Sequence, residues 1–181
     1  MRRRDVIRVL GAAAALPFIP GTAEAAEWTR QMHEAVRQGR PFRTLTGPQQ
    51  LLVSEIADRL IPRTDTPGAL DVGVPQFVDL LLTDWYDESD TRAFLTGLDD
   101  IDARARAAGS LSFVALDDSG KATLMRALDD AREAKDGGGA AFARLKGLTV
   151  YGYFTSERIV RDVLRSRTSF QSFEGCVPLT S

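Results

Sequence analysis

The chain has 181 residues but only one cysteine and one histidine. That scarcity removes several chemistries at once. A zinc site needs clustered Cys or His ligands, the c-type haem signature C-x-x-C-H needs two cysteines, and Cys176 has no second cysteine for an internal disulfide. A Ser-His-acid set would depend on His33, and no G-x-S-x-G elbow accompanies it; it reads as a solvated helix residue. No G-x-G-x-x-G motif and no long alternating β stretch are present. Basic clusters of the kind that track nucleic acid are missing too. Beyond the first twenty or so residues, no apolar run reaches the roughly 20 residues a bilayer span requires. The residues therefore predict no catalytic, metal-binding or cofactor-binding group in this chain, and no nucleic-acid partner.

Carboxylates are not scarce: 25 Asp and Glu face 23 Lys and Arg, a net charge of −2 that includes a basic N-terminus. "WYDESD" and "GLDDID" lack the alternate acids, central glycine and closing glutamate of a calcium loop. They read as helix caps and solvated helix faces. A hydrolase with two acids far apart in the chain stays open, but no pair is singled out.

"RRRDVIRVLGAAAALPFIPGTAEAAEW" opens the chain with the three parts of a secretory signal: a basic start, an apolar run over 9–19 and a small-residue cleavage site. Arg3 and Arg4, followed by a spacer, two hydrophobic residues and Arg8, resemble a twin-arginine export signal. Ala23 and Ala25 form the A-x-A cleavage site, which divides the chain into a signal over 1–25 and one domain over 26–181. An arginine-rich general secretory signal, or an uncleaved anchor, is the alternative. Either export route leads to the periplasm, an oxidising compartment where an odd cysteine suggests an intermolecular bond, a free thiol or a small buried side chain.

The remainder reads as all-α: a compact single-domain bundle with irregular loops and an extended C-terminal tail. A first amphipathic segment covers 28–38. Thr46 caps the next helix, with Pro48 in its first turn and Leu51, Leu52, Ile56, Leu60 and Ile61 on its apolar face. Pro62 ends it. "PRTDTPGALDVGV" is a loop in which Asp65, Thr66 and Asp71 can bond nearby backbone. Pro75 starts a helix carrying Phe77, Val78, Leu81, Leu82 and Trp85. Ser89 or Asp90 caps a longer one with Phe94, Leu98, Ile101 and Ala105 inward, stopped by Gly109. A further helix covers 117–135 with Leu124, Met125 and Leu128 inward, and "DGGGA" breaks the chain. In "YGYFTSE", Gly147 nearby and Gly152 permit close backbone approach, while Tyr151, Tyr153 and Phe154 crowd aromatic surface around a helix junction. Thr155 or Ser156 caps a final short helix to about residue 165.

The twin-arginine start, "IADRLIPRTDTPGALDVGVPQFVD", "FLTGLDDID", "LTVYGYFTSE" and "FEGCVPL" occur in an order that resembles the gluconate 2-dehydrogenase subunit 3 family. Arg158-Ile159 and Phe170-Gln171 depart from it where the family usually has a glycine and a Pro-Gly pair, which affects how the tail bends. The resemblance implies a non-catalytic small subunit. It would escort a folded flavoprotein of the glucose-methanol-choline type through the twin-arginine translocase, then remain as a structural subunit. FAD would sit in that large partner, with a multihaem cytochrome c as a further partner in some complexes. The complex would be periplasmic or membrane-associated. The expected partner interface includes Thr64, Asp65, Pro67 and Gly68 of the loop, Tyr151, Tyr153 and Phe154 of the junction, and the tail with Cys176, a candidate intersubunit disulfide. A stand-alone cofactor-free enzyme and a small-ligand-binding helical protein are the alternatives.

Overall fold

A computed structural model describes residues 41–132 and 137–165. The twin-arginine pair, the cleavage-site alanines, the 28–38 segment and Cys176 lie outside the described residues. Within them the fold is all-α, with no strand. Five α-helices follow in order: α1 Gly47–Leu60, α2 Val74–Asp84, α3 Glu88–Ala107, α4 Asp118–Asp130 and α5 Gly137–Thr155. A 3-10 turn, Leu70–Val72, precedes α2, and a π-helical turn, Ile159–Val163, follows α5.

The helix starts follow from their caps. Thr46 and Gln49 form a capping box at α1, with the Thr46 N–H donating to Gln49 Oε1 at 3.1 Å. At α3 the cap is Asp87, not Ser89 or Asp90: its carboxylate accepts the Asp90 N–H at 2.8 Å and the Ser89 hydroxyl at 2.7 Å. An aspartate one residue ahead of the first turn reaches the free N–H groups that Ser89 and Asp90, already inside the helix, cannot. Asp117 caps α4 through the Gly120 N–H at 2.7 Å.

The apolar faces are mostly those the spacing predicts. Phe94, Leu98, Ile101 and Ala105 are all buried on α3. On α1 the face is rotated: Leu52, Val53, Ile56 and Ala57 are buried, whereas Leu51 is 63% exposed. Trp85 falls just past the end of α2 and is also largely exposed. On α4, which stops at Asp130, Leu128 is fully buried, while Leu124 and Met125 pack half-buried against the core.

The largest departure is at the glycine run. "DGGGA" does not separate two elements; α5 begins within it, at Gly137 with φ of 65°. A Cβ on Gly139 would lie 2.5 Å from the Ala131 carbonyl oxygen, and one on Gly97 would lie 2.5 Å from Ala141 Cβ. Side chains are missing there because the start of α5 is pressed onto α3 and the end of α4. From that start α5 packs against α1, α2, α3 and α4 and forms the middle of the core. Asp79, buried on α2, fixes the approach to α1 by accepting the N–H groups of Arg43, Thr44 and Leu45 at 2.9, 3.0 and 2.7 Å.

Candidate functional site

The loop between α1 and α2 is built around Asp71. Its carboxylate accepts Arg63 Nε at 2.7 Å and the Gly68 N–H at 2.8 Å, and pairs with Arg63 Nη2 as well. Those two partners, the guanidinium first, hold the Asp71 carboxyl down at about 2, well below its ordinary 3.8. The backbone closes the same loop: Thr64 N–H donates to the Thr66 carbonyl at 3.1 Å, and Ala69 N–H to the Ile61 carbonyl at 2.9 Å. A Cβ on Gly68 would lie 2.6 Å from the Arg63 nitrogen, so the crossing tolerates only glycine. Of the expected backbone partners, Asp71 acts as predicted, whereas Asp65 accepts the Thr64 hydroxyl at 2.9 Å.

The aromatics occupy the last turns of α5, which runs on through Phe154 to Thr155, and the helix junction follows them at Ser156. Gly152 does permit close approach: a Cβ there would meet the Phe77 ring at 2.7 Å. Gly147 does not, because a Cβ there would face open space. Tyr151 lies near Phe77, with ring centroids 5.9 Å apart, and burial raises its phenol above the ordinary 10. The Thr155 and Ser156 hydroxyls do not cap the following turn. They donate back to the Tyr151 and Tyr153 carbonyls, each at 2.7 Å, and so close the C-terminal end of α5.

One bond joins the two halves of the expected interface. The Tyr153 hydroxyl donates to the Pro67 carbonyl at 2.8 Å, across 86 residues of chain. Loop and helix end thus form one structural unit. Its surface is only part of the predicted set. Thr64, Asp65 and Phe154 are exposed, Pro67 and Tyr151 are half-buried, and Gly68 and Tyr153 are buried. The buried pair positions the surface without contributing area to it. The Phe154 ring stands edge-on to Tyr153, with centroids 5.2 Å apart and an angle of 88°.

Sequence reasoning missed Leu70, 45% exposed in the same loop, and Val163 and Leu164, 37% and 50% exposed at the end of the π-helical turn. The signal was available in part: Leu70 is the bulkiest apolar residue in that loop. Of the acidic stretches, "WYDESD" supplies a helix cap in Asp87 as expected, whereas the acids of "GLDDID" bond other segments of the chain instead of only facing solvent. Asp100 accepts the Gly138 N–H at 2.7 Å, Asp102 the Phe113 N–H at 2.8 Å, and Asp99 the Gln49 amide at 2.9 Å. Among the described residues no three acidic, His or Cys side chains are grouped to hold a metal ion. Nor, among them, is any helix long and apolar enough to cross a membrane.

Residues 47–170 match the family model described as gluconate 2-dehydrogenase subunit 3. No curated protein and no solved structure matches. The matched span contains every described helix, the Asp71-centred loop and the aromatic end of α5. With more than half its length so matched, the chain belongs to the gluconate 2-dehydrogenase subunit 3 family.

Proposed function

We propose that this chain is the non-catalytic small subunit of an exported, flavin-dependent sugar or alcohol dehydrogenase complex. The family match over 47–170 carries the reading, since the family is by description one subunit of a dehydrogenase. The twin-arginine-like start supports export of a folded partner: a flavoprotein of the glucose-methanol-choline type loaded with FAD in the cytoplasm would travel on this signal to the periplasm. There the small subunit remains bound and stabilises its partner, with a cytochrome c as electron acceptor where one is present. FAD belongs to the large subunit in this reading. The surface assigned to the partner is the unit tied together by Tyr153 and Pro67, in particular Thr64, Asp65 and Phe154. Cys176, which has no second cysteine in this chain, would form a disulfide to the large subunit.

Purification of the tagged chain from its native periplasm and membranes tests this. A large flavin-absorbing protein is expected to co-purify, and non-reducing gels are expected to show a combined band that reduction splits. A colourless chain recovered alone in good yield would refute the complex. Full alkylation of Cys176 in the unreduced complex would refute the disulfide alone.

A further inference from the structure

The connection between α1 and α2, residues 61–73, lies on the surface, with Pro62, Arg63, Thr64, Asp65 and Leu70 exposed. Surface connections of this kind are ordinarily the mobile part of a domain. This one is closed by its own bonds. The Ala69 N–H reaches back to the Ile61 carbonyl at 2.9 Å, and the Val74 N–H, at the start of α2, to the Ala69 carbonyl at 3.1 Å. Between them, Asp71 ties the Arg63 side chain and the Gly68 N–H to the 3-10 turn.

Tyr153 adds a tie of a different kind, because it comes from another element. Its hydroxyl holds the Pro67 carbonyl, one residue before Gly68 crosses Arg63 with no room for a Cβ. With the crossing that tight, a bond at Pro67 fixes the chain on both sides of it. Outward lie Arg63 to Thr66; inward lies Ala69, fully buried in the core. The Tyr153 ring is itself buried, so the hydroxyl is held in place.

We propose that 61–73 is a preformed docking loop, closed in the chain by itself, and that Tyr153 is the residue that positions it. A loop held in one shape loses little freedom on binding. It fits a folded partner whose own surface is fixed, not a flexible peptide. Arg63, Thr64, Asp65 and Leu70 are presented to that partner in one arrangement. That a partner docks here rests on the dehydrogenase reading; that Tyr153 holds the loop does not.

Amide hydrogen exchange on the full chain alone tests the loop, with a synthetic 61–74 peptide as the unstructured reference. The amides of Thr64, Gly68, Ala69 and Val74 are expected to exchange at least about tenfold more slowly than in the peptide. Tyr153→Phe removes one hydrogen bond and is expected to speed all of them together by about fivefold. Ile101→Val, in the buried face of α3, lowers overall stability by a similar amount and is expected to leave them unchanged. Peptide-like rates in the parent overturn the proposal, as does a Tyr153→Phe variant with unaltered rates. Equal acceleration by Ile101→Val overturns it too, since the loop would then open only with the whole fold. Docking is read separately in the reduced complex, where Tyr153→Phe is expected to weaken binding of the large flavoprotein by about fivefold and Ile101→Val to leave it unchanged. Equal binding by the two variants refutes the docking role. If no flavoprotein is found, the dehydrogenase reading fails and the docking role with it, while the exchange rates still decide whether Tyr153 positions the loop.

Discussion

Gly152 and Gly147 sit five residues apart on α5 and differ in what surrounds them. A methyl at 152 would lie 2.7 Å from Phe77 Cδ1, whereas one at 147 would meet nothing within 4 Å. Gly152→Ala is therefore expected to destabilise the fold by about 1–3 kcal/mol through overpacking. Gly147→Ala is expected to stabilise it by up to ~1 kcal/mol, because alanine is the better helix former. Chemical denaturation of the two variants checks both, and equal effects would contradict the packing argument. The neighbouring Tyr153 hydroxyl contributes through one bond to the Pro67 carbonyl. Tyr153→Phe removes that bond with little change of shape and is expected to cost about 1 kcal/mol. An unchanged denaturation midpoint would mean that the bond does not hold the loop. The sequence "YGYFTSE" marks the place as unusual, but neither glycine can be assigned its role from spacing alone. That role depends on Phe77, some 75 residues away in the chain.

Among the helices, α3 is the one best read in advance and α5 the one least so. The two cases have different physics. α3 has one apolar stripe and a polar remainder, so its inward residues follow from a period of 3.6. α5 meets four other helices and is apolar on most sides, so periodicity says little about it. Its glycine start reads as a break because glycine disfavours helix. The packing of Gly138 and Gly139 against Ile101, Leu128 and Ala131 outweighs that preference. The clamp made by Asp79 could have been suspected from an acid inside "PQFVDLLL". Its three backbone donors could not. In the middle of α5, Thr149 is fully buried and its hydroxyl has no hydrogen-bond partner. Thr149→Val keeps the branched shape and removes the unpaired group. It is expected to raise stability by about 1 kcal/mol, measured as a higher unfolding midpoint. A lower midpoint would show that the hydroxyl is satisfied after all.

Over the whole molecule, the helices are tied to one another by carboxylates whose ionised forms are favoured. Lys121 of α4 bonds Glu55 of α1 at 2.7 Å and, first among its causes, lowers the Glu55 pKa. The Gly138 N–H at the start of α5 does the same for Asp100 of α3, and Lys146 of α5 for Asp129 of α4. Asp71 completes the set within the loop that Tyr153 anchors. Each group has a lower pKa folded than unfolded, so its contribution is fully present above the ordinary value. That contribution is lost as pH falls through the folded value. The ordinary values are 4.5 for Glu55 and 3.8 for the aspartates, and Asp71 titrates at about 2 in the fold. Stability is thus expected to be level near neutrality and to decline from about pH 5 downward, as the folded state binds fewer protons than the unfolded one. Asp71→Asn should be less stable than the parent near neutrality, and the gap should close between pH 3.8 and about 2, where the parent loses its Arg63 pair. Denaturation midpoints across that range decide it. A gap that stays constant down to pH 2 would mean that Asp71 acts through shape and not through its charge.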